Sequence, residues 1–274
     1  MAWLADRAVP GVEAASAASY ERTLRLPGGA GILRARPEAT GVDASFRLVS
    51  PDDLGVAVRR VRRLFDLDAE PDAIADVLRA DDVLRPLVDA LPGLRVPGTV
   101  DPGETAFRAV LGQQISVAGA RTITARIVHA YGAPLAEPQG TLTHLFPSAA
   151  ALAEADLAGF GFPRSRGETV RELARQLAAG ALTLQQGADP EEARRRLLGI
   201  RGIGTWTASY ISLRALGDRD AFPAADLGII RATRSLGLPA DPLALEERSL
   251  RWRPWRAYAA HYLWTAPTVP RQLR

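Results

Sequence analysis

A glycine turn in the second half of the chain has the spacing of an anion-binding hairpin. Gly202, Ile203 and Gly204 form a Gly-Ile-Gly turn, in which no bulky side chain keeps the backbone from approaching another molecule. Thr205 then begins a predicted helix. The free amide groups in the first turn of a helix point outward and favour an anion such as a phosphate. Glycine turns between helices are also common structural devices, so the turn alone is a weak signal.

Aromatic residues and an aspartate follow this turn. Trp206, Tyr210 and Leu213 lie at i, i+4 and i+7, which places them on one face of the predicted helix. Asp226 stands 20 positions after Trp206, directly before an apolar run that begins the next helix. Taken alone, an aspartate at that position is far more often a plain helix cap than a catalytic group.

The predicted elements before the glycine turn and before Asp226 would hold these residues in place. Asp189 begins a helix with a proline at its first position and acids in its first turn, and Gly199 ends it. A second break lies at 217–223, just before Asp226. The combination of turn, aromatic face and aspartate resembles the helix–hairpin–helix and catalytic aspartate of the DNA glycosylase superfamily, which excises damaged bases.

The resemblance covers nearly the whole chain and narrows to one family. Residues 94–120 are similar to the segment that carries the DNA-intercalating residue in the 3-methyladenine DNA glycosylase II family, the AlkA type. Residues 251–264 resemble the C-terminal helix of that family, and residues 61–67 resemble its first domain. The resemblance implies a mainly α chain (α+β overall): a helical glycosylase body with a small N-terminal antiparallel-sheet α/β domain. It further implies double-stranded DNA with alkylated bases as the partner of a monomeric enzyme.

The resemblance assigns roles to residues by position. It implies Asp226 as the catalytic residue and a base pocket of Trp206, Tyr210, Trp264, Trp3 and Leu227. It implies DNA contacts from Gln113, Gln114, Ile115, Arg201, Gly202, Ile203, Gly204 and Thr205. The backbone carbonyls of Leu198, Ile200 and Ile203 match positions that hold a structural monovalent cation (Na⁺ or K⁺), and no cofactor is required.

Base excision breaks an N-glycosidic bond while positive charge builds up on the sugar. A carboxylate beside that sugar stabilises the cation and helps to position a water. A base must leave the duplex to be reached, and flipped bases are held by stacking on aromatic side chains. The sequence departs from the family at Gln114, where an apolar Leu is usual, so that either Gln114 or Ile115 is the candidate wedge. It also has Arg201 where the hairpin usually has Pro, and Leu227 where an aromatic residue often follows the aspartate.

The reaction type follows from position 206. Bifunctional relatives carry a lysine there, which attacks the sugar and nicks the strand; this chain has Trp206 and contains no lysine. A monofunctional hydrolase that leaves an abasic site is therefore expected. Two alternatives stand beside it: a helix–hairpin–helix DNA-binding module without chemistry, and a nicking glycosylase-lyase of the endonuclease III type. The pocket and Asp226 argue against the first, and the missing lysine and cysteine against the second.

The composition excludes several other classes of protein. The chain has 274 residues and no cysteine, which rules out disulfides, thiolate metal sites and iron–sulfur clusters. Its formal net charge of +3 is too small to indicate nucleic acid by itself. Two arginine clusters, at 194–201 and 248–256, suit phosphate contacts, while a solvated helix face explains the run at 194–196 equally well.

No apolar run approaches the length of a membrane span and the N-terminus lacks a signal-peptide pattern, so a cytoplasmic protein of the bacterial nucleoid is expected. A β-hairpin is predicted at 20–26 and 30–36, a third strand at 45–49, and almost only helices after residue 69. The expected division is an N-terminal domain at 1–68, a helical subdomain formed by 69–100 with 219–274, and a second helical subdomain at 101–218. Asp218 and Asp220 are expected to be solvent-exposed.

Overall fold

A computed structural model describes residues 1–266 of the chain. The helices are α1 (Ala2–Arg7), α2 (Leu54–Leu64), α3 (Pro71–Arg79), α4 (Arg85–Ala90), α5 (Pro102–Leu111), α6 (Val117–Tyr131), α7 (Ala149–Ala153), α8 (Arg164–Ala178), α9 (Pro190–Gly199), α10 (Thr205–Ile211), α11 (Leu227–Ser235), α12 (Pro242–Ser249) and α13 (Arg256–Thr265). The strands are β1 (Glu13–Ala15), β2 (Tyr20–Leu26), β3 (Gly29–Glu38), β4 (Gly41–Leu48), β5 (Ala133–Gln139) and β6 (Leu142–Leu145). The mainly α fold with a small antiparallel sheet is as predicted.

The N-terminal sheet has the strand order β1-β2-β3-β4, with every neighbouring pair antiparallel. The β2–β3 hairpin closes with Leu26 opposite Gly29, which confirms the predicted hairpin. Helix α2 packs on this sheet through Ala57, Val61 and Leu64. The sequence predicts a helix that begins at 50–53 and has an apolar face of Leu54, Val58, Val61, Leu64 and Phe65. That face was wrong at Leu54 and Val58, which are 50% and 40% exposed.

Small side chains explain this change of helix face. Ala57 is completely buried and lets α2 approach the sheet closely, so the contact runs through Ala57, Val61 and Leu64. The larger residues Leu54 and Val58 lie on the edge of that contact and point toward solvent. The apolar periodicity therefore predicted the helix, but the buried position is Ala57 and not its neighbour Val58.

Two helical cores lie beside the sheet domain. One is formed mainly by α5, α6, α8, α9 and α10, and the other by α3, α4, α11 and α13 with Trp252 at its centre. The expectation of almost only helices after residue 69 missed β5 and β6, which form a hairpin that packs against Ile32 of β3. The proposed domain boundaries at residues 68, 100 and 218 stay a prediction. None of the helices within residues 1–266 is long and apolar enough to cross a membrane.

Candidate active site

The hairpin between α9 and α10 has a backbone that only glycine fits at one position. Gly202 has φ +93°, and a Cβ there would stand 2.2 Å from Oγ1 of Thr169. That hydroxyl donates to the carbonyl of Arg201 at 2.8 Å and so holds the turn against α8. At Gly204 an added Cβ would meet nothing within 4 Å, so the outer face of the turn is open to another molecule.

Asp226 lies at the junction of three elements. Its Oδ1 caps α11 by accepting from the amides of Gly228 at 2.8 Å and Ile229 at 3.0 Å. Oδ1 also accepts from Nε1 of Trp264 in α13, and Oδ2 accepts from Nε1 of Trp206 in α10, both at 2.8 Å. Oδ1 thus takes three donors and Oδ2 one, which leaves acceptor capacity on Oδ2.

The two indole groups change how Asp226 is interpreted. The cap that the sequence indicates is real, and a cap alone would need only the amides of Gly228 and Ile229. Two tryptophans from separate helices add nothing to the start of α11, yet they fix the carboxylate beside an aromatic wall. Gly228 makes this possible, since a Cβ there would lie 3.2 Å from Cδ1 of Trp264. A glycine two positions after Asp226 is a signal that the sequence analysis missed.

The predicted pocket residues form one continuous aromatic group. The Trp206 and Tyr210 rings stack with centroids 5.5 Å apart and an interplanar angle of 22°. Tyr210 packs edge-on to Trp264 at 6.2 Å, and Trp264 lies 5.5 Å from Trp3 of α1. The structure therefore brings Trp3 of the first helix and Trp264 of the last described helix into contact, as the resemblance implies. Leu227, directly after Asp226, is 67% exposed.

Helix α10 does not continue as predicted. After Ile211 the backbone changes to a π-helical turn at Ser212–Leu216. Leu213 consequently packs in the core that contains Trp252 and does not extend the aromatic face. Arg214 is the residue of this turn that approaches the aromatic group, with its Cζ 5.2 Å from the centroid of Trp3. Single π-helical turns within helices occur frequently at functional sites.

Two arginines and a histidine surround Trp3. The Arg7 guanidinium covers one face of Trp3, with its Cζ 3.4 Å from the ring centroid. His261 packs edge-on to Trp3 at 5.1 Å. Burial, assisted by Arg214 and Arg7, lowers the pKa of His261 to about 3, so the imidazole is neutral at physiological pH. The sequence analysis did not single out Arg7, Arg214 or His261, although Arg214 follows Trp206 and Tyr210 at helical spacing.

The predicted wedge loop between α5 and α6 is tied to the hairpin. The Gln113 side-chain amide donates to the carbonyl of Gly202 at 3.0 Å and to Oγ1 of Thr207 at 2.9 Å. Gln114 has φ +56°, a left-handed conformation that is uncommon for residues other than glycine. Such backbone strain clusters at functional sites. The side chains of Gln114 and Ile115 are both exposed.

Other predicted residues have simpler surroundings. Arg201 is exposed, and Thr205 is the first residue of α10. Ile203 is buried, and its amide donates to the carbonyl of Ile200 at 3.0 Å. That carbonyl retains a second lone pair for a cation, and the proposed set of Leu198, Ile200 and Ile203 stays a prediction.

The arginine clusters are largely engaged in ion pairs. Arg195 and Arg196 both pair with Glu192, which favours the solvated-face interpretation for these two residues. Arg253 and Arg256 both pair with Asp220, while Arg248 pairs with Asp81. Asp220 is only 20% exposed. Its predicted solvent exposure was therefore wrong, because two arginines of the C-terminal cluster fold over it. Asp218 is half-buried, and its Oδ1 accepts from the amide of Asp220 at 2.9 Å, so its predicted exposure was wrong as well.

Comparison with known protein families agrees with this geometry. The model of the AlkA N-terminal domain matches residues 1–101. The model described as HhH-GPD superfamily base excision DNA repair protein matches residues 107–257. The chain belongs to the HhH-GPD superfamily. The pairing of an AlkA N-terminal domain with an HhH-GPD body narrows the membership to the AlkA type that the sequence resembles.

Two curated relatives match over most of the chain. A probable bifunctional transcriptional activator/DNA repair enzyme AlkA from Mycobacterium tuberculosis is 48% identical over 97% of this chain. The match covers 54% of that relative, so the chain spans about half its length. DNA-3-methyladenine glycosylase 2 of Escherichia coli is 34% identical, and the match covers 96% of this chain and 91% of that protein.

Solved structures show the same fold. A 3-methyladenine DNA-glycosylase from Archaeoglobus fulgidus superposes with a TM-score of 0.79 over 96% of this chain and 90% of its own, at 24% identity. MBOgg1 in complex with a low-affinity DNA ligand superposes with a TM-score of 0.78 over 94% of this chain and 88% of its own, at 20% identity. The architecture is thus shared with proteins whose sequences differ widely.

Proposed function

We propose that this chain is a DNA glycosylase that removes alkylated bases by hydrolysis and leaves an intact abasic strand. The observation that carries the proposal is the meeting of two indole N–H groups on Asp226, each at 2.8 Å, beside an aromatic pocket. A pure DNA-binding module needs neither the fixed carboxylate nor the pocket. The similarity of this chain to DNA-3-methyladenine glycosylase 2 supports the removal of bases as its reaction.

The chemistry assigned to Asp226 follows from its hydrogen bonds. As the glycosidic bond breaks, the base leaves with the bonding electron pair and the sugar becomes cationic. Oδ2 of Asp226 accepts a single hydrogen bond and is free to face that cation or to hold a water. The water oxygen then bonds to the anomeric carbon, and its proton passes to the carboxylate or to solvent. Trp206 and Trp264 keep the carboxylate in place throughout.

The aromatic group supplies the surface for a flipped base. Trp206, Tyr210 and Trp264 form one wall with Trp3 behind them, and Leu227 stands at the exposed edge. Cationic purines such as 3-methyladenine and 7-methylguanine stack on electron-rich rings, with a cation–π contribution of about 0.5–2 kcal/mol. Aromatic surfaces of this kind also accept other flipped bases.

Double-stranded DNA would bind across the hairpin and the wedge loop. The open face of Gly204, the amides at the start of α10 and the exposed Arg201 suit one phosphate strand. Gln114 or Ile115 would enter the space left by the flipped base. A monovalent cation on the hairpin carbonyls would bridge to the same strand. We expect a monomer that acts on the chromosome in the cytoplasm.

The absence of lyase chemistry can be tested directly. β-Elimination by a glycosylase proceeds through an imine, and this chain offers no lysine amine for it. A methylated duplex incubated with the protein should release free base and show a broken strand only after heat or alkali. Borohydride should trap no covalent adduct. Nicking without alkali would contradict hydrolysis, and tight duplex binding without base release would favour the non-catalytic module.

A further inference from the structure

Two consecutive peptide groups of the hairpin are tied to the protein by their carbonyl oxygens. The Thr169 hydroxyl of α8 donates to the carbonyl of Arg201 at 2.8 Å, and the Gln113 side chain of the wedge loop donates to that of Gly202 at 3.0 Å. Thr169 is only 5% exposed, whereas Arg201 and Gly202 are exposed. The hairpin is therefore held from its inner side by two side chains that are distant in sequence.

The bond from Thr169 fixes the direction of one amide group. In a trans peptide, the C=O of one residue and the N–H of the next point in opposite directions. Because the Arg201 carbonyl points toward Thr169, the N–H of Gly202 points away from α8. Within residues 1–266, this amide has no protein acceptor, whereas the neighbouring Ile203 amide donates to the carbonyl of Ile200. The Gly202 amide is therefore a donor turned toward solvent.

The Thr169 side chain both packs on this peptide and supplies its hydrogen bond. A Cβ on Gly202 would stand 2.2 Å from Oγ1 and 3.3 Å from Cγ2 of Thr169, so the glycine backbone lies directly on that side chain. The same hydroxyl lies 3.0 Å from the carbonyl of Ser165, which belongs to α8 and has an amide donor within the helix. Among the described residues, the Arg201 carbonyl has no backbone donor, so it depends on Thr169.

We propose that Thr169 is a positioning residue that aims the Gly202 amide at a phosphate of bound DNA. The proposal rests on the DNA-binding role proposed for the hairpin, and it assigns part of that role to a buried side chain of another helix. In this role the hydroxyl acts through the Arg201 carbonyl and itself touches no phosphate. The amide carries no net charge, unlike the exposed Arg201 side chain, so the two contacts respond differently to salt.

Thr169→Val tests the hydroxyl at nearly constant side-chain volume. We expect the affinity for an undamaged, fluorescein-labelled duplex to fall about tenfold, because a hydrogen bond to a charged phosphate is weakened or lost. Thr169→Ser keeps the hydroxyl and should bind within about twofold of wild type. Thr233→Val is the matched control and should bind as wild type does, because Thr233 is also buried and its hydroxyl donates to the carbonyl of Ile230 within α11 at 3.0 Å.

Salt dependence and kinetics separate a misdirected amide from a lost charge or a damaged fold. Counterion release follows the number of cationic contacts, so plots of log affinity against log salt concentration should be parallel for Thr169→Val and wild type. The duplex concentration that gives the half-maximal rate of base release should rise about tenfold, while the rate at saturating duplex should change little. A merely structural role for Thr169 would lower the melting temperature and leave the duplex affinity of the folded protein unchanged.

The Gly202 amide is also observable directly in the wild-type protein. In amide-proton NMR spectra its signal should move downfield when undamaged duplex is added to saturation, and the shift should be smaller in Thr169→Val. If Thr169→Val does not fold, Thr169→Ala takes its place, since it also lacks the donor and has no branched side chain to accommodate. A Gly202 signal that does not move downfield would overturn the proposal, and so would a Thr169→Ser variant that binds as weakly as Thr169→Val.

The same measurements distinguish this proposal from the proposed function. Duplex binding by wild type without base release would refute the glycosylase function, and the affinities of the Thr169 variants would still decide the role of this residue. Base release by wild type, with equal duplex affinities for wild type and Thr169→Val, would overturn the role of Thr169 and leave the glycosylase function standing.

Discussion

The hydrogen bonds of Asp226 give the substitution Asp226→Asn two separable consequences. If the asparagine oxygen takes the place of Oδ1, it still accepts from Gly228, Ile229 and Trp264. Its amide nitrogen then occupies the place of Oδ2 and meets Nε1 of Trp206, a donor facing a donor. The opposite orientation is worse, since it would set the amide against three donors. The variant therefore loses the negative charge and also frees Trp206.

The two losses have different magnitudes. A buried donor left without an acceptor costs about 1–3 kcal/mol, and the half-buried Trp206 belongs at the lower end of that range, near 1 kcal/mol. Loss of a charge that stabilises the transition state costs about a hundredfold to a thousandfold in rate, by analogy with other electrostatic groups. The fold is thus expected to survive with its stability slightly reduced, while base release falls far more.

A double-mutant cycle with Trp206→Phe separates these effects. Trp206→Phe removes the indole donor, so in that background Asp226→Asn should cost less than about 0.5 kcal/mol of unfolding free energy in urea, compared with about 1 kcal/mol beside Trp206. Single-turnover base release should fall at least about a hundredfold in both backgrounds. Release within tenfold of wild type would place the catalytic group elsewhere. Equal unfolding costs in the two backgrounds would mean that the indole hydrogen bond does not hold the carboxylate.

Three further predictions concern DNA binding, the wedge loop and pH. The logarithm of the association constant for undamaged duplex should fall linearly with the logarithm of the salt concentration. Arg201→Ala should reduce the magnitude of that slope by about one. A salt-independent affinity, measured by titration, would exclude phosphate contacts. Gln113→Ala removes the two hydrogen bonds to Gly202 and Thr207, so it should slow base release roughly tenfold while the affinity for duplex changes less. Gln185→Ala, at an exposed position, is the control. Equal losses of base release and of duplex affinity in Gln113→Ala would contradict a role in placing the wedge. Because the pKa of His261 is lowered from 6.5 to about 3, the unfolded chain binds a proton first, so stability should fall as pH drops below 6.5, by about 2 kcal/mol at pH 5. His261→Leu should flatten that part of the urea-measured profile, and an unchanged profile would refute the assignment.

The sequence was sufficient for features that depend on local patterns. The alternation in β2 and β3 predicted their hairpin, and the cap at Asp189 predicted the first residue of α9. The β5–β6 hairpin was missed because its strands are short and polar, with Pro134 and Pro138 in β5, which is unfavourable for a strand. This hairpin is held by packing of Leu135 and Leu142 on Ile32, a contact between distant parts of the chain.

In the candidate site, too, local patterns predict some features, while others depend on contacts between distant parts of the chain. Asp226 as a cap could be predicted from its neighbours, whereas its bonds to Trp206 and Trp264 depend on helices 20 and 38 positions away. Leu213 was placed on the aromatic face by regular α-helical geometry. The π turn after Ile211 shifts the backbone, and Arg214 takes that place. A local pattern cannot predict a change of helix type that tertiary packing imposes.

The position of Trp3 shows how distant residues complete the pocket. Helix α1 has only six residues, too few to be stable alone. Its C-terminal carbonyls are satisfied by the helical body: Arg108 of α5 donates to the carbonyl of Arg7 at 2.5 Å, and Arg121 of α6 donates to that of Ala8 at 2.8 Å. Arg108 is itself held by Glu13 of β1.

The same contacts connect the sheet domain to the pocket. Burial favours the protonated form of Glu13, yet Arg108 and Arg22 outweigh that effect and hold its pKa below the usual range. Glu13 thus retains the charge that orients Arg108, and Arg108 fixes the end of α1 that presents Trp3 and Arg7 to the pocket. A change at Glu13 would disturb the position of Trp3 and Arg7 through these bonds, although Glu13 lies outside the aromatic group. The small sheet therefore helps to position the helix that carries Trp3 and Arg7.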